Sequence, residues 1–299
     1  MRHSTANAEG EEIDLQELMA SIRHFADLFE RIDRPAGKGR FNRFLGRLKA
    51  IDVIVFHPLL LAIMDQAGDD EAELAKVAEV LESFLVRRMV CNYRTRGYGS
   101  LALKLLEEIT ERSSTEPLSE ILSAELSEND TVPDKWPDDA EFRDQWLHRR
   151  FYGSLRRDRV LMILRAIEEY YQTSSTLAEP IVAFDWCAVQ VEHVMPQKWV
   201  EHWPLPDALP ADDRDFQIHG IGNLTLVSGR LNPKMSNGPW LPNDRTTKCK
   251  RDALEAHTLL YLNKNLLKSA DDEWDEGSIA QRAEAMFQVA SIIWSNKSE

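Results

Sequence analysis

The sequence predicts a mainly α-helical protein in which a helical domain precedes a small ββα-metal motif embedded among further helices. Three observations lead there. Apolar residues recur at helical spacing through most of the chain. Only two short segments, residues 189–191 and 224–227, read as strands. Around those strands stand Glu192, His193, Asn223 and Asn232, in an order that suits a metal-assisted hydrolytic site.

The first expected helix carries Leu15, Leu18, Met19, Ile22, Phe25, Phe29 and Ile32, and Pro35 with Gly37 and Gly39 stops it. Phe41, Phe44, Leu45 and Leu48 open a second. The apolar run at residues 53–64 contains His57 and Pro58; it is too short for a bilayer, which needs roughly 20 apolar residues, and reads as a buried helix. A third periodic helix runs from Leu74 through Leu85 to the basic pair Arg87 and Arg88, and a fourth holds Leu101, Leu105, Leu106 and Ile109. Stripes of this kind are read as core. Residues 127–139, polar and containing Pro133 and Pro137, form the expected linker, so the predicted domains are 1–127 and 128–299. Beyond it, Val160, Leu161, Leu164, Ile167 and Tyr171 mark another amphipathic helix, preceded by Arg149, Arg150, Arg156, Arg157 and Arg159. Residues 199–216, rich in Pro and Asp, read as an insertion loop, and a helix carrying Asn232 follows the second strand. The last helix opens on a capping box of Ser278 with Gln281.

Composition narrows the function. The start of the chain has no apolar segment of the signal-peptide kind. Three widely spaced cysteines without a C-x-x-C pair exclude a zinc ribbon and a disulfide framework, which points to a reducing, cytoplasmic setting. A net charge of −14 argues against general affinity for phosphate backbones. The sign reverses locally, however: residues 230–251 hold six Lys or Arg against one acid, Asp244. Arg230, Lys234 and Lys248 of that cluster are the candidate DNA contacts.

The chemistry lies in V-E-H-V-M-P-Q (residues 191–197), H-G-I-G-N-L-T-L-V-S (219–228) and R-L-N-P-K-M-S-N (230–237). Phosphodiester hydrolysis needs a deprotonated water, a positive charge at the phosphate and a stabilised leaving oxygen. His193 is the candidate general base, because an imidazole titrates near neutrality. Glu192, on the opposite strand face, and Asn232 are candidate oxygen ligands for Mg²⁺ or Mn²⁺, acting as Lewis acid. Asn223 is expected to bond backbone across the loop and orient His193. His202 and His219 are alternative ligands or bases. Each motif alone is weak; their ordered combination is what points to a nuclease.

The same three segments resemble the C-terminal HNH (His-Me finger) nuclease domain of GmrSD-type modification-dependent restriction endonucleases, a group that includes the nuclease component of phosphorothioation-based Ssp defence. The stretch E-S-F-L-V-R-R-M-V-C (residues 82–91) resembles the helical region preceding that nuclease. The resemblance implies a DNA endonuclease of antiviral restriction with His193 as base, Glu192 and Asn232 as metal ligands and Asn223 in a structural role. It also implies a basic residue after the site helix, for which Lys248 is the nearest match. The D-G-Q-Q-R-like motif and P-loop of such proteins are missing here. The resemblance therefore implies an NTPase and modification-sensing domain or subunit outside this sequence. Two further readings stay open: a catalytically silent helical module that binds DNA or a partner, and an RNase or toxin nuclease.

Overall fold

The structure is a computed structural model that describes residues 5–6, 12–128, 134–174, 186–207, 209–229, 231, 237–242, 249–270 and 272–296. It is mainly α-helical, and the chain divides into two compact units, residues 1–136 with 296–299 and residues 137–295. No helix among the described residues is long and apolar enough to cross a membrane.

The first unit opens with two very short antiparallel strands, β1 (Thr5–Ala6) and β2 (Glu12–Ile13). Helices α1 (Leu15–Asp33), α2 (Arg40–Ile51), α3 (His57–Ala67), α4 (Glu71–Val90), α5 (Tyr98–Arg112) and α6 (Leu118–Ser127) follow. Aspartates start two of them: Asp14 accepts from the Gln16 amide, and Asp70 from those of Ala72 and Glu73. Pro58 sits in the first turn of α3, where its missing N–H costs nothing.

Helix α4 is buried on nearly every side, charges included. Glu82, fully buried, accepts from Arg40 Nη1 at 2.7 Å and Arg47 Nη1 at 2.6 Å, both on α2. Arg88 is equally buried. It lies against the rings of Phe84, Tyr93 and Tyr98 and donates to the Tyr98 hydroxyl and the Lys135 carbonyl. Residues 82–90, including the basic pair, are therefore core, not a surface patch. The stripe of α1 is the reverse case and corrects the expectation: Leu15, Leu18, Met19, Ile22, Phe25 and Phe29 are 38–64% exposed, and only Ile32 is buried. Helical periodicity reports a face; it does not report whether another element covers it.

In the second unit, α7 (Asp139–His148) and α8 (Arg157–Ser174) precede β3 (Val189–His193). Then come α9 (Ala211–Gln217), β4 (Leu224–Ser228), α10 (Lys250–His257), α11 (Tyr261–Ser269) and α12 (Glu276–Ile293). Strands β3 and β4 pair antiparallel from Val189 opposite Ser228 to His193 opposite Leu224. Helix α8 packs on both strands, α11 on β4, and α12 on the 3₁₀ turn Ile221–Asn223 that leads into β4. The buried Glu168 of α8 accepts from the amides of Tyr261 and Leu262, so one carboxylate holds the start of α11.

Two sequence expectations change here. Residues 199–216 are more than a structureless loop: Trp199 and Trp203 enter a core with Trp240, Trp274, Leu254 and Leu266, and the segment closes in α9. Helix α12 is capped by Asp275, one turn earlier than the Ser278 box. Asp275 Oδ1 accepts from both the Ser278 amide (2.7 Å) and hydroxyl (2.8 Å), a carboxylate being the stronger acceptor at a helix start. The helix expected to carry Asn232 lies outside the described residues.

Replacing Glu82 by Ala should lower stability by about 3 kcal/mol, because it removes the shared partner of two mostly buried guanidiniums. Thermal or urea unfolding of the full chain checks this.

Candidate functional site

Alternation along β3 sorts its side chains. Val189, Val191 and His193 are buried, while Gln190 is exposed and Glu192 half-buried on the other face. Pairing continues past the strand, where the Val194 amide donates to the Asn223 carbonyl at 2.9 Å. The Asn223 side chain then completes the junction. Its Oδ1 accepts from the Met195 amide (2.8 Å) and Trp274 Nε1 (3.0 Å), and its Nδ2 donates to the carbonyls of Met195 and Ile218, both at 2.8 Å. Both lone-pair sites and both hydrogens of a buried amide are thus used. Three of these partners are backbone groups, so the amide ties the chain just after His193 to the turn before β4.

That turn is held from the α12 side as well. A Cβ on Gly222 would sit 2.1 Å from the Ile279 carbonyl, so only glycine allows helix and turn to approach this closely. Arg282 Nη1 donates to the carbonyls of Gly222 (2.6 Å) and Leu224 (2.8 Å), on either side of Asn223. Its burial lowers the guanidinium to about 10.

His193 is 5% exposed, and its Nε2 lies 3.1 Å from Nδ1 of His219. The Tyr152 ring meets the His193 imidazole edge-on at 4.5 Å and stacks on that of His219 at 5.7 Å and 11°. Tyr152 is brought there by backbone: the amides of Phe151 and Tyr152 both donate to the His219 carbonyl, at 2.9 and 3.1 Å. Burial above all, then the charges of His219 and Lys250, lower the His193 pKa to about 3. Burial and the nearby Arg150 guanidinium lower that of His219 too, against a smaller opposing effect of Asp215. At neutral pH both imidazoles are uncharged.

Lys250, the first residue of α10, is fully buried and donates from Nζ to the His193 carbonyl (2.7 Å) and to Glu192 Oε1 (3.2 Å). Burial lowers its pKa, and Glu192 opposes that. The second oxygen of Glu192 makes no hydrogen bond among the described residues. No group of three His, Cys, Asp or Glu that could hold a metal occurs among the described residues. A single carboxylate with a free oxygen suits a hard ion that keeps most of its water, as Mg²⁺ does; it does not suit the closed nitrogen and sulfur shell of zinc.

Glu192, His193 and Asn223 are thus gathered at one end of the hairpin, together with His219. His202 faces Glu201 at 3.7 Å. Asn232, Arg230, Lys234 and Lys248 lie outside the described residues.

The family described as GmrSD restriction endonucleases, C-terminal domain, matches residues 136–289, just over half of the sequence. The chain belongs to this family. No curated protein matches it. Membership makes the GmrSD C-terminal domain in this chain a restriction-endonuclease-related nuclease domain, and the matched stretch contains the whole β3–β4 hairpin with its supporting helices.

Four residues of the GmrSD domain site escaped the sequence reading. Lys250 was visible only as one of six basic residues in 230–251, with nothing to separate it from Lys248. Tyr152, Trp274 and Arg282 lie 41, 81 and 89 positions from His193 (193 − 152, 274 − 193, 282 − 193) and carry no motif.

Asn223→Ala should cost about 2–4 kcal/mol, since it strands buried backbone groups of Met195 and Ile218. It should also cut cleavage more than its loss of folded protein accounts for, measured as specific activity on the fraction that remains folded.

Proposed function

We propose that the domain is an HNH-type DNA endonuclease in which His193 is the general base and Glu192, with Asn232, holds one Mg²⁺ or Mn²⁺ ion. The observation that carries this reading is the His193 imidazole. It is uncharged at neutral pH, held by Asn223 beside the hairpin end, and its Nδ1 makes no hydrogen bond among the described residues. A neutral imidazole with an open ring nitrogen can accept the proton of a water molecule. The O–H bond breaks as the proton passes to Nδ1, the hydroxide oxygen bonds to phosphorus, and the P–O3′ bond breaks. The 3′ oxygen then takes a proton from solvent. The bound ion supplies Lewis acidity for the charge that grows on the phosphate and the leaving oxygen. Lys250 fixes the His193 carbonyl and one oxygen of Glu192, leaving the other oxygen for the ion.

The phosphate backbone is met by Arg230, Lys234 and Lys248 and, among the described residues, by Arg150. Arg150 is exposed, lies over the Phe216 ring at 5.9 Å, and makes no ion pair among the described residues. Its charge already reaches His219. Choice of modified DNA is assigned to an NTPase and modification-sensing domain or subunit, and the setting is cytoplasmic antiviral restriction, with nicking as the elementary cut.

His193→Ala should slow plasmid nicking by about 10²- to 10⁴-fold in folded protein. Chelation should abolish cleavage, and Mg²⁺ or Mn²⁺ should restore it. A labelled RNA in parallel, cut faster than DNA, would transfer the reading to an RNase; wild-type nicking by His193→Ala would refute the base assignment.

Arg150→Gln should weaken binding to unrelated duplexes alike and reduce the slope of log affinity against log salt by about 0.9. Titration at several salt concentrations with chelator present measures binding without cleavage.

A further inference from the structure

We infer that His219 is the positioning residue that fixes the tautomer of His193, accepting from Nε2–H through its own Nδ1 and so keeping the proton off Nδ1 of His193. This rests on the reading of His193 as the base.

A neutral imidazole carries one proton on two nitrogens, and only the tautomer with a bare Nδ1 could serve here. The 3.1 Å contact joins His193 Nε2 to His219 Nδ1, so one ring must donate and the other accept. Their surroundings decide which. His219 is half-exposed, and its Nε2 makes no hydrogen bond among the described residues, so water can take the proton carried there. His193 is buried, and among the described residues its Nε2 has only the His219 ring as partner. A His219 that keeps its proton on Nε2 presents a lone pair at Nδ1 and obliges His193 to donate. The same bond holds after the proton transfer, because imidazolium Nε2–H is a stronger donor facing the same acceptor.

The His219 ring is itself fixed. Tyr152 stacks on it at 11°, and the backbone amides of Tyr152 and of its neighbour Phe151 both donate to the His219 carbonyl, bonds that no side-chain substitution removes. Tyr152 also closes the edge of His193, so the two imidazoles stay at 84° to each other with centroids 5.2 Å apart. Triads orient a base through a carboxylate; here a neutral ring does so and adds no negative charge of its own.

The test uses the full chain with ¹⁵N-labelled histidine and the variants His219→Ala and His219→Asn; the Asn side-chain oxygen can replace the Nδ1 acceptor. Long-range ¹H–¹⁵N spectra at neutral pH, with the His193 signals identified by their loss in His193→Gln, should show the Nε2-protonated tautomer in wild type and His219→Asn. In His219→Ala a mixture should appear. Nicking should fall by about 10- to 100-fold in kcat for His219→Ala with KM little changed, the scale of a misplaced catalytic group, and His219→Asn should recover most of it. In a His193→Ala background, His219→Ala should add no further loss. An unaltered His193 tautomer in His219→Ala, an unchanged kcat, or a His219→Asn variant as slow as His219→Ala each overturns the proposal. Should His193→Ala nick at the wild-type rate, the base reading fails on its own, and the spectra alone decide the tautomer assignment.

Discussion

The side-chain amide of Asn223 is the constraint on which the site depends. A β hairpin of two five-residue strands has little stability of its own, and its two ends here are separated by a long excursion through α9. One buried amide joins them. It closes on the residue two beyond His193, on the turn before β4, and on the Trp274 indole from the segment leading to α12. All four bonds are made in the absence of competing water, where such a network is strongest and where a missing partner is most costly.

The helices around that junction each fix a different part of it. Helix α12 supplies close contact at Gly222 and a guanidinium on the carbonyls either side of Asn223. Helix α10 delivers a buried ammonium to the His193 carbonyl and to Glu192. Helix α8 places Glu168 under the start of α11, whose Asn263 bonds the Leu226 carbonyl of β4 and the hydroxyl of Thr225. Most polar groups buried in this way have partners, although Arg282 Nη2 makes no hydrogen bond among the described residues. The imidazole among them is held uncharged by burial, while the side chain of Glu192 beside it accepts a hydrogen bond from Lys250.

The first unit applies the same rule without a reactive group. Glu82 and Arg88 are fully buried in α4, one shared by two arginines of α2 and the other enclosed by three aromatic rings. Their role is to specify packing. A pair of arginines at a helix end need not be a surface patch, because charge says nothing about exposure.

The sequence by itself determined the helical class, most helix positions, the two strands of the site hairpin, and the placing of Glu192 and His193 on opposite faces. All of these follow from local periodicity, which the chain records directly. It also displayed the ordered motifs of the GmrSD C-terminal domain. Short, polar helices such as α7 and α10 carry too few apolar residues to show a period, and the buried tryptophans of residues 199–203 are masked by the Pro and Asp around them. Only the tertiary structure decided that His219 and Tyr152 meet His193, that Lys250 reaches Glu192, and that α1 leaves much of its apolar stripe exposed. The reason is physical: these outcomes depend on which distant surfaces exclude water from one another, and no spacing along the chain encodes that.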